Sequence, residues 1–230
     1  MSQYKIKNPL VKGKIIQIKP QIFCALIDDN YERTMLFCRY QEFYESPFDE
    51  IKGKEFSWEK YMSIYRKKTK HEIFTYPKDW TGFNIPSNII EKGLSTFSFR
   101  TWGPYDEIMS NIWYYCENYP LKLDKPRKKW YLIGASSKDV KTINHELAHG
   151  YYYTNREYKK IVDNLLMSIP NKTREKIFNK LIKMGYLNDK KILMDEAQAF
   201  LSTGLYNGLD IVEIKKYEKE FINNFKKYNK

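Results

Sequence analysis

From residue 155 onward the chain is a succession of segments with helical periodicity, each closed by its own stop. "NREYKKIVDNLLMSI" runs to Pro170, and "TREKIFNKLIKM" runs to Gly185, a residue suited to the left-handed position just past a helix. "DKKILMDEAQAFLS" and "LDIVEIKKYEKEFINNFKK" complete the series, and the short end "KKYNK" is expected to fray. Such a run predicts a mainly helical C-terminal part, and it leaves any sheet to the residues that precede it.

Those residues carry mixed patterns. "GKIIQIKPQIFCALIDD" holds two short apolar runs separated by "KPQ" and reads as two strands. "TMLFCRYQEFYE" can continue a sheet or form a helix, because its period is ambiguous. Ser57 caps a helix in "SWEKYMSIYRKK", where Trp58, Tyr61, Met62 and Tyr65 share a face. "YPKDWTGFNIPSN" is punctuated by Pro77, Gly82 and Pro86 and reads as an ordered loop, whereas "YDEIMSNIWYYCENY" reads as a second helix. "LDKPRKKW" is the candidate hinge, "WYLIGA" is a strand, and "SSKDV" offers a capping box from Ser136 to Asp139. The expected class is α+β in a single domain over 1–230: a mixed part with a small sheet over about 1–125, and a mainly helical part over about 126–230.

Composition narrows the function classes. A chain of 230 residues with 42% hydrophobic residues buries a sizeable core. Its formal charge of +12 raises nucleic acid as a partner. Lysine supplies most of that charge and is scattered along the chain, whereas arginine is the better bidentate phosphate ligand, so a solvated surface is the favoured reading. Cys24, Cys38 and Cys116 are isolated, which argues against a disulfide framework or a cysteine zinc cluster. The start lacks the apolar region of a signal peptide, and no apolar stretch approaches the roughly 20 residues of a membrane span. A cytoplasmic protein with no membrane insertion is expected.

Residues 145–149 read HELAH and contain two of the three histidines. On a helix, positions four apart share a face, so His145 and His149 can converge on one ion. Glu146 lies about 100° further round, beside such an ion, where it can act as general base toward a zinc-bound water. This composition yields the motif by coincidence in roughly one such sequence in 300, so context has to carry the assignment. Here the motif lies in a capped helical segment directly after a strand.

A catalytic zinc takes three protein ligands. A third histidine at 155 is excluded, since that position is Asn155, and His71 sits in a lysine-rich surface stretch. Among the downstream glutamates, Glu157, Glu175, Glu213, Glu218 and Glu220 are surrounded by lysines. Glu196 alone lies among apolar and small residues, in "ILMDEAQAFL", and is the candidate third ligand. Asp195 and Asn144 are candidates to orient a histidine from outside the ligand set. Tyr152 and Tyr153, three and four residues past His149, are candidate oxyanion donors, with core packing as their other role.

"HELAH" followed by "DEAQAFL" resembles the gluzincin zinc metallopeptidases, and the Glu196–Ala197–x–x–Phe200 pattern is similar to the intracellular peptidases of the ImmA/IrrE type. The resemblance covers about the last 100 residues. It implies a zincin-like fold there, one Zn2+ per chain on His145, His149 and Glu196, Glu146 as general base, and a peptide or protein substrate lying along "WYLIGA" as an edge strand before the motif helix. Many gluzincins carry an aspartate four positions after the ligand glutamate; here that position is Phe200. The expected activity is peptide-bond hydrolysis by a zinc metallopeptidase. Two other readings stand beside it: a non-catalytic zinc-binding regulatory protein of peptidase ancestry, and a basic nucleic-acid-binding protein in which the motif is coincidental.

Overall fold

The computed structural model describes residues 3–119, 129–205, 209 and 211–230. The chain is α+β and divides into two compact units, Met1–Ile143 and Asn144–Lys230. The proposed hinge "LDKPRKKW", with Pro126, lies largely outside the described residues.

The first unit is built on a five-stranded sheet in the order β1-β2-β3-β5-β4. Its strands are β1 (Gln3–Lys5), β2 (Gly13–Lys19), β3 (Ile22–Ile27), β4 (Phe83–Pro86) and β5 (Tyr131–Ala135). The predicted β2–β3 pair is antiparallel, with Ile15 opposite Ala25 and Ile16 opposite Cys24. β5 runs parallel to β3, with Ile133 opposite Cys24, and antiparallel to β4, with Leu132 opposite Ile85. "YLIGA" is therefore an interior strand, and the expectation of an edge strand before the motif helix is corrected. All five of its residues are buried, which is the environment a near-continuous apolar run needs. The edges belong to β1 and β4, and β4 ends at Pro86, which an edge strand tolerates.

Among the described residues, five helices lie wholly within this unit: α1 (Asn30–Glu45), α2 (Trp58–Thr69), α3 (Tyr76–Asp79), α4 (Ser87–Thr96) and α5 (Pro104–Asn118). "TMLFCRYQEFYE" lies in α1, not in the sheet. Asp29 caps it by accepting from Glu32 N at 2.9 Å, and residues 33–40 are all buried. A helix enclosed around its circumference has no polar stripe, so its 3.6-residue period disappears from the sequence. Phe37 of α1 stacks on Phe83 and lies against Gly134, where an added Cβ would meet the ring at 2.5 Å. "YPKDWTGFNIPSN" likewise contains the one-turn α3 and the strand β4 rather than a loop alone.

Arg39 organises the helical layer. Its buried guanidinium pairs with Asp106, donates to Thr101 O at 2.7 Å and Phe56 O at 2.6 Å, and lies 3.8 Å from the Phe97 ring centre. Cys24, Cys38 and Cys116 are buried and form no disulfide. No helix among the described residues is long and apolar enough to cross a membrane.

α6 (Val140–Thr154) begins in the first unit, and the division falls within it. Asp139 caps this helix alone: it accepts from Thr142 N at 3.0 Å and Thr142 Oγ1 at 2.7 Å. Ser136, expected to complete a capping box, instead donates to Asp28 Oδ1 at 2.9 Å, beside both the N–H and the hydroxyl of Ser137.

The second unit continues α6 and adds α7 (Arg156–Ser168), α8 (Asn171–Lys183), α9 (Lys190–Ser202), a 3-10 turn at Val212–Ile214 and α10 (Lys215–Tyr228). Asn155 caps α7 through Tyr158 N at 3.0 Å, and Asp189 caps α9 through Lys191 N at 2.8 Å. Gly185 follows α8 with φ +105°, as expected for its stop. Helix α10 continues to Tyr228, inside the stretch expected to fray. Tyr151 Oη donates to Tyr228 O at 2.8 Å, and the Tyr228 ring meets Tyr158 edge-on at 5.3 Å. α9 packs against α7, α8 and α10 and buries residues on nearly every side, from Leu193 to Ser202.

Candidate metal centre

His145 and His149 lie one turn apart on α6, and their Nε2 atoms are 3.4 Å from each other. Glu196, on α9, brings Oε2 to 3.8 Å from His145 Nε2 and 3.7 Å from His149 Nε2. Among the described residues, these three form the one group of histidine, cysteine and acidic side chains placed to hold a metal ion. A triangle with those sides is circumscribed by a circle of radius about 2.1 Å, which matches the Zn–N and Zn–O distances of a protein zinc site. The donor types, two imidazoles and a carboxyl group, are ones that zinc takes.

The surroundings reinforce that geometry. His149 is 2% exposed, Glu196 8% and Glu146 5%, so three polar side chains are withdrawn from water at one place. His149 Nδ1 lies 2.8 Å from Asp195 Oδ1, a hydrogen-bonding contact that places Nε2 on the side of the ring toward His145 and Glu196. The phenyl ring of Phe200 packs edge-on against the His145 imidazole at 4.9 Å between centres and restricts its rotation. His145 Nδ1 is buried with no hydrogen-bond partner among the described residues.

Burial lowers the pKa of His145 well below the usual imidazole value, and the neighbouring charge of His149 adds to that effect. For His149, burial also favours the neutral ring, but the carboxyls of Asp195, Glu196 and Glu146 together outweigh it and raise the pKa to about 10.

The structure separates the outer candidates. Asp195 touches His149, whereas Asn144 accepts from Asn229 Nδ2 at 3.5 Å, near the chain end. Tyr152 donates to Asp163 Oδ1 at 2.7 Å, with Lys159 Nζ 3.6 Å from its ring centre, so its hydroxyl is committed to α7. Tyr153 is half-buried on the same helix, and burial raises its pKa. His71 is exposed in the first unit.

Three residues that sequence reasoning left out stand behind Asp195: Gln198, Tyr158 and Ser202, all buried. Gln198 Nε2 donates to Asp195 Oδ1 at 3.0 Å and to Ala148 O at 3.3 Å. Tyr158 Oη donates to Gln198 Oε1 at 3.0 Å and lies 3.2 Å from Ser202 Oγ. The available signal was Gln198 itself, an amide inside the apolar run "EAQAFL" and three residues from Asp195 on one helix face.

Comparison of the chain with protein-family models, with curated proteins and with solved structures yields no match.

Proposed function

We propose that the chain is a zinc-dependent hydrolase of the metallopeptidase type, with His145, His149 and Glu196 as ligands and the zincin-like arrangement that its resemblance to gluzincins implies. The observation that carries this reading is the convergence of Glu196 on two imidazoles that precede it by more than forty residues. The spacing within HELAH brings two rings together on any helix. It does not bring a buried carboxyl from another helix to the same point.

His145 stays neutral through burial and offers a lone pair. Asp195 holds His149 with its Nδ1 as donor, so Nε2 faces inward. His145, His149 and Glu196 would hold the ion, and a zinc there would supply the Lewis acidity that acidifies a water and polarises a carbonyl. Glu146 receives the proton of the attacking water and returns it to the leaving amine. Its carboxyl lies close enough to the site to act on the charge of His149. The retained glutamate supports hydrolysis over simple metal storage, since the ligand set is complete without it.

Metal analysis and one variant test this proposal. The purified chain is expected to carry one zinc, and His149→Ala to lose it. Glu146→Gln is expected to keep the metal and to hydrolyse a mixed peptide library at least about 100-fold more slowly. A wild-type chain that cannot be loaded with zinc removes the metal centre, whereas Glu146→Gln with wild-type turnover removes the mechanism and leaves the centre standing.

A further inference from the structure

Behind Asp195, the second unit contains a directed chain of hydrogen bonds with no exposed member at its inner end. Tyr158 and Gln198 are each 0% exposed and Ser202 is 1% exposed. Burial pushes the Tyr158 phenol far up in pKa, so this group keeps its proton. That single proton goes to Gln198 Oε1, the nearer acceptor at 3.0 Å, and Ser202, at 3.2 Å, can donate in turn to Tyr158 Oη.

The direction of the chain fixes the amide of Gln198. With Oε1 on Tyr158, its NH2 group faces Asp195 Oδ1 and Ala148 O. The flipped amide would set Oε1 against the Asp195 carboxyl and the Ala148 carbonyl, three acceptors facing one another without a proton. Asp195 Oδ1 therefore receives two N–H groups, from Gln198 at 3.0 Å and from His149 at 2.8 Å. The Asp195 side chain is 26% exposed and has rotational freedom toward solvent, so a second hold is what keeps it beneath the imidazole.

We propose that Gln198 and Tyr158 are positioning residues that act through Asp195 to hold the His149 ring in its metal-binding orientation and tautomer, an inference that rests on the metal-centre reading above. Neither residue touches the ion. Their contribution is to the affinity and symmetry of the site, and it disappears when Asp195 is absent. A role in packing alone lacks that dependence.

The test is a double-mutant cycle in the full chain, read by zinc affinity in chelator competition and by the visible spectrum of the cobalt-loaded protein. Tyr158→Phe keeps the ring and deletes the hydroxyl, and Gln198→Met, close in length, deletes the amide. Outer partners of metal-bound histidines are worth about 10- to 100-fold in affinity. Gln198→Met is accordingly expected to weaken zinc about 10-fold, Tyr158→Phe about 3- to 10-fold, and both to alter the cobalt bands. In an Asp195→Ala background, neither change is expected to weaken zinc further. Wild-type affinity and spectrum in both variants, or the same loss with and without Asp195, overturns the inference while the metal centre stands. A wild-type chain that takes up neither zinc nor cobalt instead overturns the centre itself, and the inference with it.

Discussion

Removing the proposed third ligand tests the site where sequence reasoning was most indirect. In Glu196→Ala, the Oε2 atom that stands 3.7 and 3.8 Å from the two Nε2 atoms is deleted, and two imidazoles 3.4 Å apart remain. Asp195 is badly placed to take over. Its carboxyl bonds Nδ1, on the opposite side of the His149 ring from Nε2, and Gln198 and Ala148 occupy the space beside it. Water is the remaining substitute. Four-ligand structural zinc sites bind with about 10–16 kcal/mol, or about 3 kcal/mol for each ligand. A charged ligand replaced by water should therefore weaken zinc by about 100-fold. Competition against a chromophoric chelator at constant pH and ionic strength measures that ratio, and thermal melting without metal checks that the variant folds. Glu196→Ala with zinc affinity within about twofold of wild type would show that Glu196 does not hold the ion. The ligand set would then have to be sought elsewhere.

Two further perturbations address the first unit. Arg39→Met leaves Asp106 buried without its guanidinium partner and deprives Thr101 O and Phe56 O of a donor, so a loss of about 3–5 kcal/mol is expected in urea unfolding; a loss under about 1 kcal/mol would mean that the pair is dispensable. Glu42 is buried, and desolvation raises its pKa against the opposing effects of Ser46, Tyr76 and Tyr61, so the native state favours the protonated acid. Stability from this group is present in acid and falls as pH rises above the ordinary carboxyl range. Glu42→Gln, which imitates the acid form, should raise the urea midpoint at pH 8 and leave it unchanged at pH 4. An equal shift at both values would assign the effect to packing instead.

Legibility from sequence followed burial. α7, α8 and α10 each bury one face, and α7 and α8 end at recognisable stops, so their periods survive in the sequence, as does that of the capped α2. α1 buries most of its circumference and β5 all of its residues, which erases the contrast that distinguishes helix from strand or an interior strand from an edge. The position of β5 between β3 and β4 depends on pairings more than forty residues away in sequence, and no local pattern encodes them. The same division holds at the site. The two histidines and Glu146 share one helix, where spacing alone places them. Choosing Asp195 over Asn144 as the partner of His149 requires the rotation of α9 against α6, which packing determines.

The distribution of polar groups in the second unit gives the site its strongest physical argument. Among the described residues of this unit, the buried polar and charged ones belong to one constellation: Glu146, His149, Glu196, Gln198 and Ser202. The rest of that interior is aliphatic and aromatic, so nothing in the packing requires such groups at this position. Burying them together is costly, because three carboxyl groups, counting Asp195, surround two imidazoles, and replacement by apolar residues of similar size is often neutral or stabilising in a folded core. On the proposed metal-centre reading, a divalent cation bound by His145, His149 and Glu196 should raise the melting temperature through the linkage between ligand and native state.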